Sequence, residues 1–420
     1  MKIFAKILLP IIAFTSTSLA SGITIKPTGR FDFSSGFINN KGDKAHNKVS
    51  VNRDRFGFMS QGKFILNIKH ELENNISYGA QISLHTSSRS DRSTPSHLFF
   101  ESEAGKWEFG SDKSVMTKMK ITGYSNASAT GGMWDAWVAP DIRDKKIQYV
   151  TNAGNFLDTK TRNVDKIEYS RKISYYTPKI AGFQLGVSYV PDTVNGGSGP
   201  VRDDAPDYHV SKLVKGYAFD IKDGVALGLT KEHILNDIAS IKLSVLSEFG
   251  KVAVKTPTKK EFADAIAETP TNPLIDPKST KFKKLSTYNI GAELKYGKFA
   301  ISGCYADFRK SLTGSNPLID PSDRKKSYLY NVGAKYSFEK ISMSGHYFYS
   351  NNKKNIVEAT TFGVDYKLAP GIMPYAEVTA FRAKGAYKVA DGLVGSNRST
   401  KYASDNHHGG LFLVGMKLEF

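Results

Sequence analysis

The sequence GGLFLVGMKLEF, residues 409–420 at the end of the chain, is the clearest evidence for the fold. Every second position from Phe412 to Phe420 is apolar, whereas Lys417 and Glu419 lie at intervening positions. Because successive side chains of a β-strand point to opposite faces, this alternation predicts a strand with one apolar face and one polar face.

The same period of two recurs along the whole chain. Segments 54–71, 288–296 and 327–338 alternate apolar with polar residues in the same way. Short turns rich in Gly, Asn, Asp or Lys and long polar loops separate such segments in alternation. Many strands joined by alternating short and long connections are typical of a transmembrane antiparallel up-and-down β-barrel, because such a barrel keeps its short turns on one rim. The sequence therefore predicts an all-β fold of this kind.

The predicted number of strands is eighteen, and sixteen is the alternative. The two counts differ in segment 208–257, where turn signals at 222–224 and 249–251 predict two hairpins joined by a very short outer loop at 235–238. If this segment is one hairpin plus a loop instead, the barrel has two strands fewer. Either count is even, as expected of a single-chain bacterial barrel.

Composition excludes several other classes of protein. The chain has 420 residues and no apolar run of the length that a spanning helix needs, which is about 18 residues. Cys304 is the single cysteine, so an intrachain disulfide framework and a multi-cysteine metal site are both excluded. The sequence has no phosphate-binding loop or metalloprotease motif either. We therefore expect no catalytic residue, no bound metal and no cofactor.

The start of the chain has the pattern of a secretory signal peptide. Two lysines flank the beginning of a short apolar stretch at 7–14, and a small-x-small sequence ends at Ala20. We predict a signal peptide at 1–20, cleavage after Ala20 and a barrel domain at 21–420. Cleavage removes two lysines and no acid, which lowers the formal net charge from +18 to +16. An exported protein does not meet chromosomal DNA, so we expect no nucleic-acid partner for this basic chain.

Three stretches resemble the Gram-negative general porin superfamily. They are the C-terminal VGMKLEF, the hairpin HLFFESEAGKWEFGSD at 97–112 and the hairpin KISYYTPKIAGFQLGVSYVPD at 172–192. The resemblance implies an outer-membrane porin, a water-filled channel through which small hydrophilic solutes and ions diffuse passively. It also implies a homotrimer surrounded by outer-membrane lipid and lipopolysaccharide, and it assigns Phe420 to the signal that the barrel-assembly machinery reads.

In this superfamily the long loop after the fifth strand folds into the pore and narrows it. The corresponding loop here is 116–164, so the resemblance implies that this loop forms the constriction. Its acidic candidates are Asp135, Asp141 and Asp144. The superfamily's acidic Pro-Glu-Phe-Gly-Gly segment is replaced here by TGGMWDAWVAPD, so these acids are carried over by position only.

The superfamily places basic residues of the early strands opposite such a loop. By parity, five basic positions of the first two strands fall on the lumen face: Lys26, Arg30, Arg55, Lys63 and Lys69. A basic wall facing an acidic loop creates a transverse field that sorts ions by sign, and as a set the basic residues favour anions. The alternative is that each is an ordinary solvated lumen charge, because alternation fixes the face of a residue but not its height.

Three other functions remain open at this stage. A channel that prefers a sugar or phosphate is one, although parity gives only scattered lumen aromatic residues for sugar stacking, such as Phe99, Tyr176 and Phe348. A barrel hydrolase could use Ser344 and His346, which share one strand face, but no third residue that would orient the histidine is identifiable. A surface adhesin or structural barrel would have its lumen blocked by the long loop.

Overall fold

The computed structural model describes eleven stretches of the chain: 17–19, 22–42, 53–87, 95–126, 137–138, 170–193, 220–253, 283–311, 326–352, 355–390 and 400–420. Their strands are β1 Thr17–Leu19, β2 Ile23–Gly42, β3 Arg53–Glu71, β4 Ser77–Ser87, β5 Ser96–Ser102, β6 Gly105–Ser111, β7 Arg171–Tyr176, β8 Phe183–Asp192, β9 Asp220–Asn236, β10 Ala239–Ala253, β11 Leu285–Tyr296, β12 Phe299–Arg309, β13 Ser327–Phe338, β14 Ile341–Asn352, β15 Asn355–Tyr366, β16 Ile372–Ala390 and β17 Thr400–Glu419. A short helix, α1, spans Val115–Lys118, and 3-10 turns span Glu73–Asn75 and Gly123–Asn126.

Sixteen of the strands that the structure describes, β2 to β17, form one closed antiparallel ring. Each pairs with its neighbours along the chain, and the ring closes where β17 pairs with β2, for example Val414 with Ser35. The last residue completes this seam: the Phe420 N–H donates to the Gly29 carbonyl at 3.0 Å, and the Gly29 N–H donates to the Phe420 carbonyl at 2.7 Å. The predicted all-β antiparallel barrel is confirmed. No helix in the described part of the chain is long and apolar enough to span a membrane.

Of the two predicted strand counts, sixteen is correct and eighteen is wrong. The difference lies in β9 and β10, which run through the turns predicted at 222–224 and 249–251 and form one hairpin. A β-bulge shifts the register of this hairpin between Phe249 and Lys251, and Asp223 on the partner strand has a φ of 51°. A bulge reverses the phase of the alternation, which in a sequence looks like the end of one strand and the start of another.

Seven short connections between strands share one rim of the barrel, which we call the short-turn rim, whereas the two-residue connection between β14 and β15 lies on the other rim. In the described ranges they are 72–76, 103–104, 177–182, 237–238, 297–298, 339–340 and 367–371. Because neighbouring strands are antiparallel, the remaining connections leave the opposite rim, the long-loop rim. The turn at 237–238 therefore lies on the short-turn rim and is not the predicted outer loop.

The two faces of the wall differ in polarity, as the alternation predicts. In β17, Phe412 and Val414 are exposed on the outer face, whereas Leu411 and Leu413 are buried on the lumen face. Large exposed apolar side chains follow the same outward parity on each of the sixteen strands. Such an outer apolar band suits lipid hydrocarbon. The lumen face is polar except where it packs against the chain that follows β6.

Candidate functional site

The chain that follows β6 turns into the lumen. Helix α1 packs against β8, β9 and β10 from the inside, and the Val115 N–H donates to the Ser188 hydroxyl oxygen at 3.0 Å. Val115, Met116 and Met119 are all buried here against an apolar patch of the wall. The wall side of this patch consists of Tyr176, Val190, Ile221, Ala226, Leu246 and Leu285. The beginning of the loop predicted at 116–164 is therefore held inside the barrel.

A second contact lies about a quarter turn further round, where the 3-10 turn Gly123–Asn126 packs against β12, β13 and β14. The Asn126 amide donates to the Ser302 hydroxyl at 2.7 Å, and Ser302 donates to the Thr122 carbonyl at 2.8 Å. The ring of Tyr124 lies over that of His346, with 3.9 Å between centroids. Because these contacts combine hydrogen bonds with ring packing, they fix both the height and the orientation of the turn.

Lumen-facing glycines let the loop backbone approach the wall closely. A Cβ at Gly186 of β8 would lie 2.6 Å from the Met119 sulfur, and one at Gly228 of β9 would lie 2.9 Å from it. A Cβ at Gly291 or Gly333 would overlap backbone atoms of Ile121 or Gly123. Gly186 pairs directly with Gly228, and Gly291 and Gly333 lie further round the same wall. We call these four positions, Gly186, Gly228, Gly291 and Gly333, the glycine track.

A third contact places the loop against the first two barrel strands. The indole of Trp137 lies over Gly36 of β2 and Gly57 of β3, where a Cβ at Gly36 would be 2.8 Å from the ring. Val138 is completely buried within an apolar lumen cluster that includes Ile38 of β2. The described parts of the loop thus touch the wall on three sides of the lumen.

Lys118 joins the end of α1 to β6. Its ammonium contacts the Glu108 carboxylate and lies 2.8 Å from a carboxylate oxygen of Asp112. Lys106 lies 3.0 Å from Glu108, and His97 lies 3.3 Å from Asp112. Burial by itself raises the pKa of Asp112 and lowers that of Lys118, but the attraction between ammonium and carboxylates outweighs it. The pKa of Asp112 is therefore lowered and that of Lys118 raised, so both groups are charged at neutral pH.

The same cluster is the place where the described residues come nearest to a metal site. His97, Glu108 and Asp112 offer ligand atoms that lie within 4.8 Å of one another. However, the Lys118 ammonium occupies the position between the two carboxylates and already satisfies both. The arrangement is therefore an ion-pair cluster that anchors the loop, rather than a vacant coordination sphere.

The predicted basic residues lie at several heights on the lumen wall. Arg30 of β2 pairs directly with Lys63 of β3, so these two side chains share one level. Lys26 and Lys69 lie nearer the short-turn rim, where Lys69 is 2.7 Å from Glu71. Only Arg30 and Lys63 are therefore brought together as a pair. Of Arg55 the structure describes the backbone in β3 and not the side chain.

Three residues complete the level of Arg30 and Lys63. His85 of β4 pairs directly with Lys63, and Lys113, next to Asp112, interacts electrostatically with both. Asp32 is the next lumen-facing residue of β2 towards the long-loop rim, and its carboxylate accepts a hydrogen bond from Arg30 at 3.3 Å. Sequence reasoning missed His85 and Lys113, although parity could have placed His85 on the lumen face of β4. The predicted loop acids Asp135, Asp141 and Asp144 lie outside the described residues.

The lumen aromatic residues considered for sugar stacking are mostly covered. Phe348 is buried beside Tyr124 of the loop, and Tyr176 is buried under α1. Phe99 is half-buried, with the Lys106 ammonium 5.2 Å from its ring centre. Phe348 and Tyr176 therefore pack the loop against the wall instead of lining an open path.

The hydrolase candidates Ser344 and His346 share the lumen face of β14, as the sequence predicts. Both ring nitrogens of His346 are buried without a hydrogen-bond partner among the described residues, so the serine is not bonded to it. A nucleophile and its base need such a hydrogen bond. The described residues therefore hold no Ser–His dyad at this position.

Known structures with the same architecture are bacterial porins. An anion-selective porin from Comamonas acidovorans is 15% identical, with 95% of this chain and 100% of that chain covered and a TM-score of 0.55. OmpF of Salmonella typhi, in complex with daunomycin, is 11% identical, with 96% and 99% covered and a TM-score of 0.52. At these identities the likeness shows the fold alone.

Sequence relatives cover nearly the whole length. An uncharacterized protein of Rickettsia bellii is 32% identical, with 97% of each chain covered, and one of Rickettsia conorii is 31% identical, with 87% of each covered. A family model described as Gram-negative porin matches residues 8–386. The barrel is closed, a loop turns into its lumen, and the family model matches most of the chain. The chain therefore belongs to the Gram-negative porins, the channel-forming barrels of the outer membrane.

Proposed function

We propose that this porin is a water-filled channel for passive diffusion of small hydrophilic solutes and ions, with a preference for anions. The observation that carries the anion preference is the pairing of Arg30 with Lys63 at one level of the lumen, with His85 directly beside Lys63. Basic groups clustered at one level raise the local potential, which attracts anions and repels cations. The proposal involves no reaction and no cofactor.

The surroundings of the channel follow from the family and the N-terminal pattern. We propose a homotrimer in outer-membrane lipid and lipopolysaccharide, inserted by the barrel-assembly machinery with Phe420 as part of its signal. We also propose that a signal peptide at 1–20 is removed. The described strand β1 lies within that segment and pairs with β2, so cleavage after Ala20 takes away β1 and leaves the ring from β2 to β17 whole.

The other functions have less support from the described residues. A sugar channel needs accessible rings, whereas Phe348 and Tyr176 are buried against the loop. A hydrolase needs a serine bonded to a base, whereas His346 has no hydrogen-bond partner among the described residues. A structural barrel or adhesin needs a blocked lumen, and the bilayer experiment below separates it from an open channel.

Reconstitution of the mature chain into planar bilayers tests the proposal. We expect stepwise conductance and, under a KCl gradient, a reversal potential of the sign that marks anion preference. Replacing Lys63 by Gln should move the reversal potential towards the cation side, because the change removes a positive charge with which no described carboxylate forms an ion pair.

Lys69→Gln is the matched control. Lys69 lies on the lumen face of the same strand as Lys63, but it is six residues nearer the short-turn rim, beyond the reach of unscreened charge at ordinary salt. We expect this change to leave the reversal potential nearly where it is. Silent bilayers would contradict the channel itself, whereas a cation-preferring channel would contradict only the anion preference.

A further inference from the structure

The level of the lumen around Lys63 is shared by three basic side chains from three parts of the chain. Lys63 and His85 are directly opposite on β3 and β4, and the Cβ atoms of such pairs lie about 5 Å apart. Lys113 follows β6 and interacts electrostatically with both Lys63 and His85. Lys63 and His85 are therefore neighbours on the wall, and Lys113 is near enough for its charge to act on both.

Most neighbouring charges are already matched within the described residues. Arg30 pairs with Asp32 at 3.3 Å. Lys106 and Lys118 match the two carboxylates of Glu108 and Asp112.

The ammonium groups of Lys63 and Lys113 are not part of this pairing. No described carboxylate lies within ion-pair distance of Lys63 or Lys113, although Asp112 attracts Lys63 from further away while Lys118 holds it. Two positive charges that repel each other inside a narrow lumen are most favourably neutralised by one divalent anion. The region therefore has the charge of a dianion site.

His85 adds a donor to these two charges. Its Nε2 atom is buried and has no hydrogen-bond partner among the described residues. Because a covered Nε2 cannot reach a solute, the nitrogen that can donate to an oxyanion in the lumen is Nδ1, which is not buried. Donors on separate elements suit a polyatomic anion with several acceptor oxygens better than a halide, which has a single centre.

The cluster is also held in place before any ligand binds. Lys113 lies between Asp112, which Lys118 fixes, and Ser114, which precedes the buried helix α1. The Lys172 ammonium donates to the backbone carbonyl of Asp112. A site on fixed elements loses less entropy when it binds a ligand.

Resting on the proposed anion-preferring channel, we propose that Lys63, His85 and Lys113 form a binding subsite for a tetrahedral phosphoryl dianion. Inorganic phosphate and the phosphate group of a phosphate ester share this chemistry. In a channel, such a subsite concentrates the solute at one level and lets it leave towards either rim, because the site has no further closure among the described residues.

The experiment measures chloride current through single channels at about pH 8, where phosphate groups are dianions. Inorganic phosphate and glycerol phosphate are titrated separately. We expect saturable block of the chloride current, with a half-blocking concentration that rises about tenfold in Lys63→Gln and in Lys113→Gln, the usual effect of losing one charge-assisted hydrogen bond. His85→Phe should weaken the block as well, whereas His85→Gln, which keeps a donor, should restore it in part.

Lys69→Gln again serves as the control and should leave the half-blocking concentration unchanged, because Lys69 lies six residues from Lys63 along β3, nearer the short-turn rim. Heat-modifiable migration on gels checks that each variant is a folded barrel. Block by both probes assigns the site to the phosphoryl group in general, and block by inorganic phosphate alone assigns it to the free ion.

The subsite is overturned if neither probe blocks saturably, or if folded Lys63→Gln and Lys113→Gln channels are blocked like the wild type. Either result is compatible with an intact anion preference in the reversal potential, so failure of the subsite and failure of the proposed function can be told apart.

Discussion

Replacing Lys118 by methionine tests how the loop is held in the lumen. The change keeps the length of the side chain but leaves Glu108 and Asp112 without the ammonium between them. Removing one partner of a buried ion pair costs about 3–5 kcal/mol. The Lys118 side chain is 25% exposed and that of Asp112 is 17% exposed, so screening by lumen water should reduce the loss to about 2–3 kcal/mol.

That loss is smaller than the apolar contribution to the same anchor. Val115, Met116 and Met119 are buried, and each fully buried side chain of this size contributes about 1.5–3 kcal/mol. Lys118→Met should therefore not release α1 permanently. A loss of about 2–3 kcal/mol should instead raise the fraction of time for which the anchor is open by about 30- to 150-fold.

The assay is the open-channel current of single barrels in planar bilayers. We expect more frequent switching between conductance levels in Lys118→Met, with an unchanged main level. Lys106→Met is the matched control, because Lys106 contacts the same Glu108 carboxylate from within β6 and makes no ion pair with a described residue of the loop. Equal switching in Lys118→Met and wild type, or equal switching in both methionine variants, would refute the anchoring argument.

Three further predictions concern the loop and the seam. Gly333→Val should displace the 3-10 turn, because its Cβ overlaps Gly123, and should destabilise that contact by about 1–3 kcal/mol, measured as a changed main conductance with an intact barrel. Acid should loosen the anchor only at low pH. Because the pKa of Asp112 is lowered in the folded state, the stabilisation by its ion pair is present above the ordinary pKa of about 4 and is lost as the pH falls below that value. Current switching should therefore begin below about pH 4. Deleting Phe420 removes two backbone hydrogen bonds of the closing seam and should lower the yield of heat-modifiable barrel in the outer-membrane fraction.

The sequence was sufficient for the fold class because the alternation of a half-apolar strand is visible residue by residue. It placed Lys26, Arg30 and Lys63 on the lumen face for the same reason. The count of strands was ambiguous because the bulge between Phe249 and Lys251 reverses the alternation within a continuous hairpin, and local sequence does not distinguish a bulge from a turn.

The candidate site was harder to predict because heights in a barrel depend on register between strands. The pairing of Arg30 with Lys63, and of Lys63 with His85, follows from the register of β2, β3 and β4, which alternation does not fix. The partners of Lys118 depend in addition on the inward turn of the chain after β6. The one local signal for that path is glycine at lumen positions such as Gly186, where the wall makes room for a second layer of chain.

The glycine track also has a consequence for how such a channel can change over generations. Where the wall lacks a Cβ, the loop lies directly against it, with the Met119 side chain at Gly186 and Gly228 and loop backbone at Gly291 and Gly333. Each glycine that becomes alanine would move the loop towards the axis by the depth of one methyl group, far from any residue that meets the solute. The wall residues behind the loop then affect the width of the pore. Substitutions there can change the size limit for solutes while the charged residues that determine ion selectivity stay the same.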